Sequence, residues 1–179
     1  MWQNLLMILV LPLFLLEGDA NWKEFKSYEG RFKVEAPGEM QYNERSIYTD
    51  IGEIKYITYY YQDTEREAEN NMYMVTYCDY PENTIHSDST ELVNDFFENT
   101  IESAIKSVAG ELRYSDILNY KEYPGRHWRI DYLRGEATIK TRAFLVENRF
   151  YTVQTATKRN RSLNKSTDKF FDSFALLID

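Results

Sequence analysis

One segment of the sequence, residues 88–109, has the pattern of a long amphipathic helix, and strand-like segments stand on both sides of it. Its apolar residues recur every three or four positions, as one face of an α-helix requires. They are Leu92, Val93, Phe96, Phe97, Ile101, Ala104, Ile105 and Val108. Asp88 is expected to cap the helix and Gly110 to end it. One long helix between groups of strands predicts an antiparallel sheet with helices packed on it, not a doubly wound fold.

The segments before this helix are rich in β-branched and aromatic residues, which favour strands. They are a hairpin at Trp22–Pro37 that turns at Glu29-Gly30, a β region at Ile47–Gln62, a charged connector at Asp63–Asn71 and a strand at Met72–Tyr80. In the β region both odd and even positions are apolar, which predicts that both faces of that strand are covered.

The segments after the helix predict a meander of adjacent antiparallel strands. These strands are Glu111–Lys121, Arg126–Leu133, Glu136–Val146 and Phe150–Thr157, followed by a basic loop at Lys158–Lys165. A short helix then begins at Ser166 or Thr167 and puts three phenylalanines on one face, Phe170, Phe171 and Phe174. The fold class predicted is α+β, with an antiparallel sheet of six to seven strands, one long helix and one short helix.

The first twenty residues have the pattern of an export signal. The apolar run Leu5–Leu16 is shorter than the roughly 20 residues of a membrane span, and small residues at Gly18 and Ala20 favour cleavage after Ala20. No Lys or Arg precedes the run, so an uncleaved anchor and a buried helix remain alternatives. The sequence thus predicts a signal peptide at 1–20 and a single domain at 21–179, which is exported to the periplasm or secreted.

Composition excludes several classes of protein. Aromatic residues make up 16% of the chain, which argues against disorder. The single cysteine, Cys78, rules out an intramolecular disulfide and lies far from the cleavage point, so no lipid anchor is expected. Cleavage would bring the net charge from −8 to −6, because it removes Glu17 and Asp19. An acidic exported chain is not expected to bind nucleic acid, and the basic loop is interpreted as solvated.

No motif of a known catalytic or phosphate-binding site is present in the sequence. The two histidines, His86 and His127, are isolated and make a poor zinc set. We therefore expect no metal, no cofactor and no catalytic residue.

Strand geometry provides the one candidate site. If Arg134-Gly135 is a two-residue turn, three cross-strand pairs share one face of the sheet, namely Asp131 with Thr138, Arg129 with Lys140, and His127 with Arg142. A turn at Asn148-Arg149 would add three further pairs to that face, namely Arg142 with Thr155, Phe144 with Val153, and Val146 with Tyr151. The result is a basic strip (His127, Arg129, Lys140 and Arg142) beside an apolar rim (Phe144, Tyr151 and Val153). The strip either binds an anion or acidic partner or is a solvated face partly neutralised by Asp131.

Four short motifs resemble those of a known family. They are residues 28–38 (YEGRFKVEAPG), residues 123–126 (YPGR), residues 148–153 (NRFYTV) and residues 170–174 (FFDSF). The chain resembles the PsbP/Mog1-like group of exported or lumenal domains, especially its uncharacterised bacterial branch. The resemblance implies an α/β/α sandwich around an antiparallel sheet. The named members of the group are accessory proteins, a photosystem II extrinsic subunit and a binder of a small GTPase, and are not enzymes.

The resemblance and the missing catalytic motifs favour one function over another. The favoured function is a non-catalytic accessory or binding domain whose partner is an envelope protein or a small anionic ligand. The alternative is an envelope hydrolase that uses polar residues around His127.

Overall fold

The computed structural model describes residues 22–177. Within them the chain forms ten strands and two α-helices, joined by loops and two 3₁₀ turns. The predicted signal peptide at 1–20 lies outside the described residues. The strands are β1 (Lys23–Ser27), β2 (Phe32–Ala36), β3 (Gln41–Thr49), β4 (Gly52–Gln62), β5 (Met72–Asp79), β6 (Glu111–Ile117), β7 (Gly125–Tyr132), β8 (Ala137–Val146), β9 (Arg149–Lys158) and β10 (Ala175–Leu176). The helices are α1 (Thr90–Val108) and α2 (Lys165–Ser173).

Seven of the strands form one antiparallel sheet in the order β3-β4-β5-β9-β8-β7-β6. The remaining three form a smaller sheet in the order β1-β2-β10, so the N-terminal hairpin pairs with the end of the chain. The predicted α+β class and the central antiparallel sheet are confirmed.

Two hydrophobic cores lie on opposite faces of the large sheet. Helix α1 covers one face, where Phe97, Trp128 and Leu145 are almost completely buried. Helix α2 and the small sheet cover the other, where Phe32, Val153 and Phe170 are completely buried. The predicted covering of both faces of the β region is confirmed, because Ile54 belongs to the first core and Ile57 to the second.

The prediction of one continuous β region at Ile47–Gln62 is wrong in one respect. The chain reverses within this region, between two strands. Strand β3 begins at Gln41 and pairs with β4 across a turn at Asp50-Ile51. Gly52 closes this turn with a φ of 115°, a value that residues with a side chain rarely adopt. The glycine was therefore a turn signal inside a run that otherwise has the composition of one strand.

The ends of both helices differ from the prediction. Ser89, not Asp88, occupies the N-cap position of α1, and its side chain makes no capping hydrogen bond. At the other end Ala109, not Gly110, adopts the left-handed conformation. Helix α2 begins at Lys165, earlier than predicted, because the side chain of Asn164 accepts a hydrogen bond from the Thr167 N–H at 2.7 Å.

The meander is confirmed, and its register agrees with the prediction for one pair of strands only. Between β7 and β8 the three predicted pairs are present, although the loop contains four residues instead of two. Between β8 and β9 the prediction is wrong by two residues, since Phe144 opposes Tyr151 and Arg142 opposes Val153. The turn lies at Glu147-Asn148, with Glu147 at a φ of 56°. A shift of two keeps every side chain on its predicted face.

Candidate functional site

The four residues of the predicted basic strip share a face of the sheet, but α2 packs against this face and leaves each of them half-buried. Arg142 donates a hydrogen bond to Asp172 of α2 at 2.8 Å, and its guanidinium lies 5.0 Å from the ring centre of Phe171. Arg129 donates to Asp131 at 2.8 Å. Both arginines of the strip are therefore engaged in ion pairs within the fold.

His127 is held as a neutral ring in this strip. Burial lowers the pKa of His127, and the positive charges of Arg142 and Lys140 lower it further. The Nε2 atom of His127 lies 3.3 Å from the Tyr114 hydroxyl, and the ring packs edge-on against Phe171. Burial also lowers the pKa of Lys140.

The predicted apolar rim is part of the core, so its assignment to an accessible surface is wrong. Phe144, Tyr151 and Val153 are at most 4% exposed, and the Phe174 ring packs against the first two of them. The Tyr151 hydroxyl donates to the Gly30 carbonyl at 2.8 Å. The small sheet, whose pairing with the chain terminus was not predicted, covers these residues.

A different site lies at the end of the large sheet where β7 turns into β8. Two cavities of about 810 Å³ and about 390 Å³ adjoin there and share Tyr132 and Arg159 in their walls. We name the two cavities together the end cleft. The larger cavity has mainly apolar walls, with Tyr132, Leu133, Ala137 and Ala156, and its charged lining residues are Glu136, Lys158 and Arg159. The smaller cavity has mainly charged walls, with Glu111, Arg113, Asp131, Arg134 and Arg159.

The loop between the two strands is strained. Leu133, Arg134 and Gly135 follow one another with φ values of 51°, 58° and 87°, all in the left-handed region. Each residue with a side chain costs about 1–2 kcal/mol in that region. Leu133 is 63% exposed, so its burial does not offset this cost. Backbone strain of this kind clusters at binding and catalytic sites.

Three arginines reach the end cleft from separate elements, which are β6, the strained loop and the 3₁₀ turn after β9. Arg113 already forms an ion pair, because its Nε lies 2.9 Å from the carboxylate of Asp131. Arg134 and Arg159 are exposed and form no ion pair with any residue in the range 22–177. The backbone N–H of Arg159 donates to the Glu136 carbonyl at 2.9 Å and so ties the two loops together.

Asp131 lines the smaller cavity and is only 3% exposed. Burial raises its pKa, but hydrogen bonds from Arg129 and Thr138 and the charge of Arg113 outweigh burial, so the pKa lies below its usual value. The ionised Asp131 thus anchors Arg113 and Arg129. Arg134 and Arg159 remain the cations of this cavity that face solvent unpaired in the described part of the chain.

The basic loop at Lys158–Lys165 is not simply solvated. Arg161 donates to the Ala68 carbonyl at 2.9 Å and to the Glu67 carboxylate at 2.5 Å. The acidic connector therefore neutralises one cation of the loop, whereas Lys158 and Arg159 border the end cleft.

The described residues provide no group of three or more histidine, cysteine or acidic side chains placed to hold a metal ion. Over the same residues, no helix is both long enough and apolar enough to cross a bilayer.

Comparison with known proteins yields a structural match. No family model and no curated protein matches the sequence. The solution structure of cyanobacterial PsbP (CyanoP) from Synechocystis sp. PCC 6803 aligns with 89% of this chain and 95% of its own, with a TM-score of 0.61 and 13% identity. PA94, a protein of unknown function from Pseudomonas aeruginosa, aligns with 78% of this chain and 85% of its own, with a TM-score of 0.37 and 10% identity. The chain has the PsbP-like fold that its sequence motifs predicted.

Proposed function

We propose that this chain is an exported, non-catalytic accessory domain that binds a ligand in the end cleft. The observation that carries the proposal is a pair of arginines, Arg134 and Arg159, that have no ion-pair partner within residues 22–177 and line the smaller cavity. Arg159 also borders the adjoining cavity of about 810 Å³. That volume lies within the roughly 300–1,000 Å³ typical of sites for small molecules. The strained loop at Leu133–Gly135 supports the proposal. Leu133 is exposed, so no burial offsets the strain, and backbone strain of this kind clusters at binding sites.

The side chains of the end cleft favour binding over catalysis. Arginine stays protonated at any physiological pH, so Arg113, Arg134 and Arg159 do not transfer protons. Asp131 is ionised and held by two arginines, which leaves it a poor general acid. The alternative of a hydrolase centred on His127 is not favoured, since the hydrogen-bonding neighbour of its ring in the described structure is the Tyr114 hydroxyl.

Binding in the end cleft is tested with native mass spectrometry. The protein, expressed from its full sequence, is incubated with the low-molecular-mass fraction of an envelope extract. We expect wild-type protein to retain a ligand and to release it chemically unchanged. Gly135→Val should lose it, because its side chain would displace Arg159, whereas the control Gly52→Val should keep it, since a β-carbon on Gly52 would have no neighbour within 4 Å. Equal retention by both variants, or conversion of the ligand, would contradict the proposal.

Export is tested separately by fractionation and N-terminal sequencing of the protein from its source cells. A cleaved signal peptide predicts an extracytoplasmic protein that begins at Asn21. An uncleaved protein that stays with the membranes would instead support the anchor alternative.

A further inference from the structure

We infer that the ligand of the end cleft is a small amphiphilic oxyanion, in which a carboxylate or phosphate group is joined to a compact apolar body. The inference rests on the proposed function, because it names the ligand class of the same site. Three features of the end cleft support the inference. They are two arginines without an ion-pair partner in the described chain, the division into a charged and an apolar cavity, and the position of the cleft on an acidic protein.

The charged group of such a ligand fits Arg134 and Arg159. A guanidinium presents several N–H donors in a planar fork that matches two oxygens of a carboxylate or phosphate. Both side chains line the smaller cavity, and neither has a carboxylate partner in the described chain. Arg159 lies against Gly135, where a β-carbon would come within 3.3 Å of its Nη1 atom, so the absence of a side chain at Gly135 leaves room for this guanidinium.

The apolar body fits the larger cavity. Its walls include the apolar surfaces of Tyr132, Leu133, Ala137 and Ala156. Arg159 borders both cavities, so an anionic group held there directs the attached body into the larger one. A free inorganic anion would leave this apolar surface in contact with water. A ligand with an aromatic or aliphatic body removes part of that surface from water, which contributes about 25 cal/mol per Å².

The charge around the end cleft selects small anions over polyanions. The whole chain carries a net charge of −8. The acidic connector joins the basic loop next to the cleft, through the Arg161–Glu67 ion pair. A nucleic acid strand would extend over such acidic surface and be repelled, whereas a small ligand stays within the cleft. Four cationic side chains line the cleft there, beside the three carboxylates of Glu111, Asp131 and Glu136.

The test is isothermal titration of the full chain with four probes at low ionic strength. The probes are phenyl phosphate, benzoate, inorganic phosphate and benzyl alcohol. We expect phenyl phosphate or benzoate to bind about tenfold more tightly than inorganic phosphate, because burial of the ring adds about 1.4 kcal/mol or more. Benzyl alcohol, which has the ring without the charge, should not bind measurably. The stronger of the two aromatic anions tells whether the natural group is a phosphate or a carboxylate.

Arg134→Gln and Arg159→Gln should each weaken binding of the preferred probe by about tenfold, because each variant loses one charge-assisted hydrogen bond to the anionic group. Both side chains are exposed, so the variants should keep the wild-type melting temperature. The control is Arg45→Gln, which removes an exposed arginine of β3 and should leave the affinity unchanged. Equal binding by wild type and both cleft variants, or equal binding of benzyl alcohol and phenyl phosphate, would overturn the inference. If the extract instead yields a neutral or cationic ligand that needs Gly135, the proposed function stands and the oxyanion inference fails.

Discussion

The guanidinium of Arg159 lies against the backbone of Gly135, so close that a β-carbon on Gly135 would stand 3.3 Å from the Arg159 Nη1 atom. Gly135 also has a φ of 87°, in the region that side chains disfavour. Two reasons therefore favour glycine at position 135: its backbone conformation, and the Arg159 guanidinium, which a β-carbon would push aside by a few tenths of an ångström.

Gly135→Ala and Gly52→Ala separate these two reasons. Gly52 has a φ of 115°, and a β-carbon on it would have no neighbour within 4 Å, so Gly52 shares the backbone preference and lacks the contact. Both variants should lower the free energy of unfolding by about 1–2 kcal/mol, measured by urea denaturation. In titrations with phenyl phosphate only Gly135→Ala should bind more weakly, because only its methyl group displaces Arg159. Similar affinities for the two variants would show that Arg159 does not depend on Gly135.

Arg149 joins the large sheet to the tip of the N-terminal hairpin. Its guanidinium donates two hydrogen bonds to Asp79, at 2.5 and 2.6 Å, and one to the Glu29 carbonyl, at 2.7 Å. It also lies 4.8 Å from the centre of the Tyr77 ring. Arg149→Lys keeps the charge and loses the forked geometry, so it should lower the free energy of unfolding by about 1–3 kcal/mol.

Urea denaturation measures this loss, with Arg45→Lys as the matched control. Arg45 is exposed on β3, and its replacement should change the free energy of unfolding by less than about 0.5 kcal/mol. A comparable effect of the two substitutions would mean that Arg149 contributes no more than an ordinary surface arginine.

Helix α1 ends in a conformation that its sequence does not favour. Ala109 has φ and ψ of 47°, and the N–H groups of Ala109 and Gly110 bond to carbonyls of the last turn. Ala109→Gly should raise the free energy of unfolding by about 0.5–1 kcal/mol, because glycine adopts this conformation without the steric cost. The control Ala104→Gly lies inside the helix and should lower it by about 1 kcal/mol. A loss of stability in both variants would contradict the assigned conformation of Ala109.

The N-terminal hairpin and the meander of β6, β7, β8 and β9 could be predicted, because side-chain alternation and turn residues are local signals. The pairing of β7 with β8 followed from Arg134-Gly135, since a four-residue loop centred there has the same register as a two-residue turn. The register of β8 against β9 did not follow, since the turn places Glu147 in a left-handed conformation that its residue type does not indicate.

The candidate site was harder to predict than the fold, because it depends on which elements cover a face. The strip residues share the face that alternation predicted, yet the packing of α2 and the small sheet decides that Phe144 and Val153 are buried. The end cleft brings together Arg113, Arg134 and Arg159 from positions far apart in the sequence. Its one local signal was Arg134-Gly135, which has the composition of an ordinary turn.

The neutral ring of His127 predicts how stability changes with pH. Burial and the charges of Arg142 and Lys140 lower its pKa in the folded chain, while Asp116 opposes them. In the unfolded chain the pKa returns to about 6.5. At intermediate pH the unfolded chain therefore binds a proton that the folded chain does not, and stability falls as pH drops through that range.

His127→Gln should reduce this fall, measured as the difference in unfolding free energy between pH 7.5 and pH 5.5. The contribution of His127 is at most about 1.4 kcal/mol per pH unit, the limit for one proton. The control His86→Gln removes the other histidine of the described chain, which lies beside Asp88, and leaves His127 in place. An unchanged pH dependence in His127→Gln, or a larger reduction in His86→Gln, would show that His127 is not the group whose protonation opposes folding.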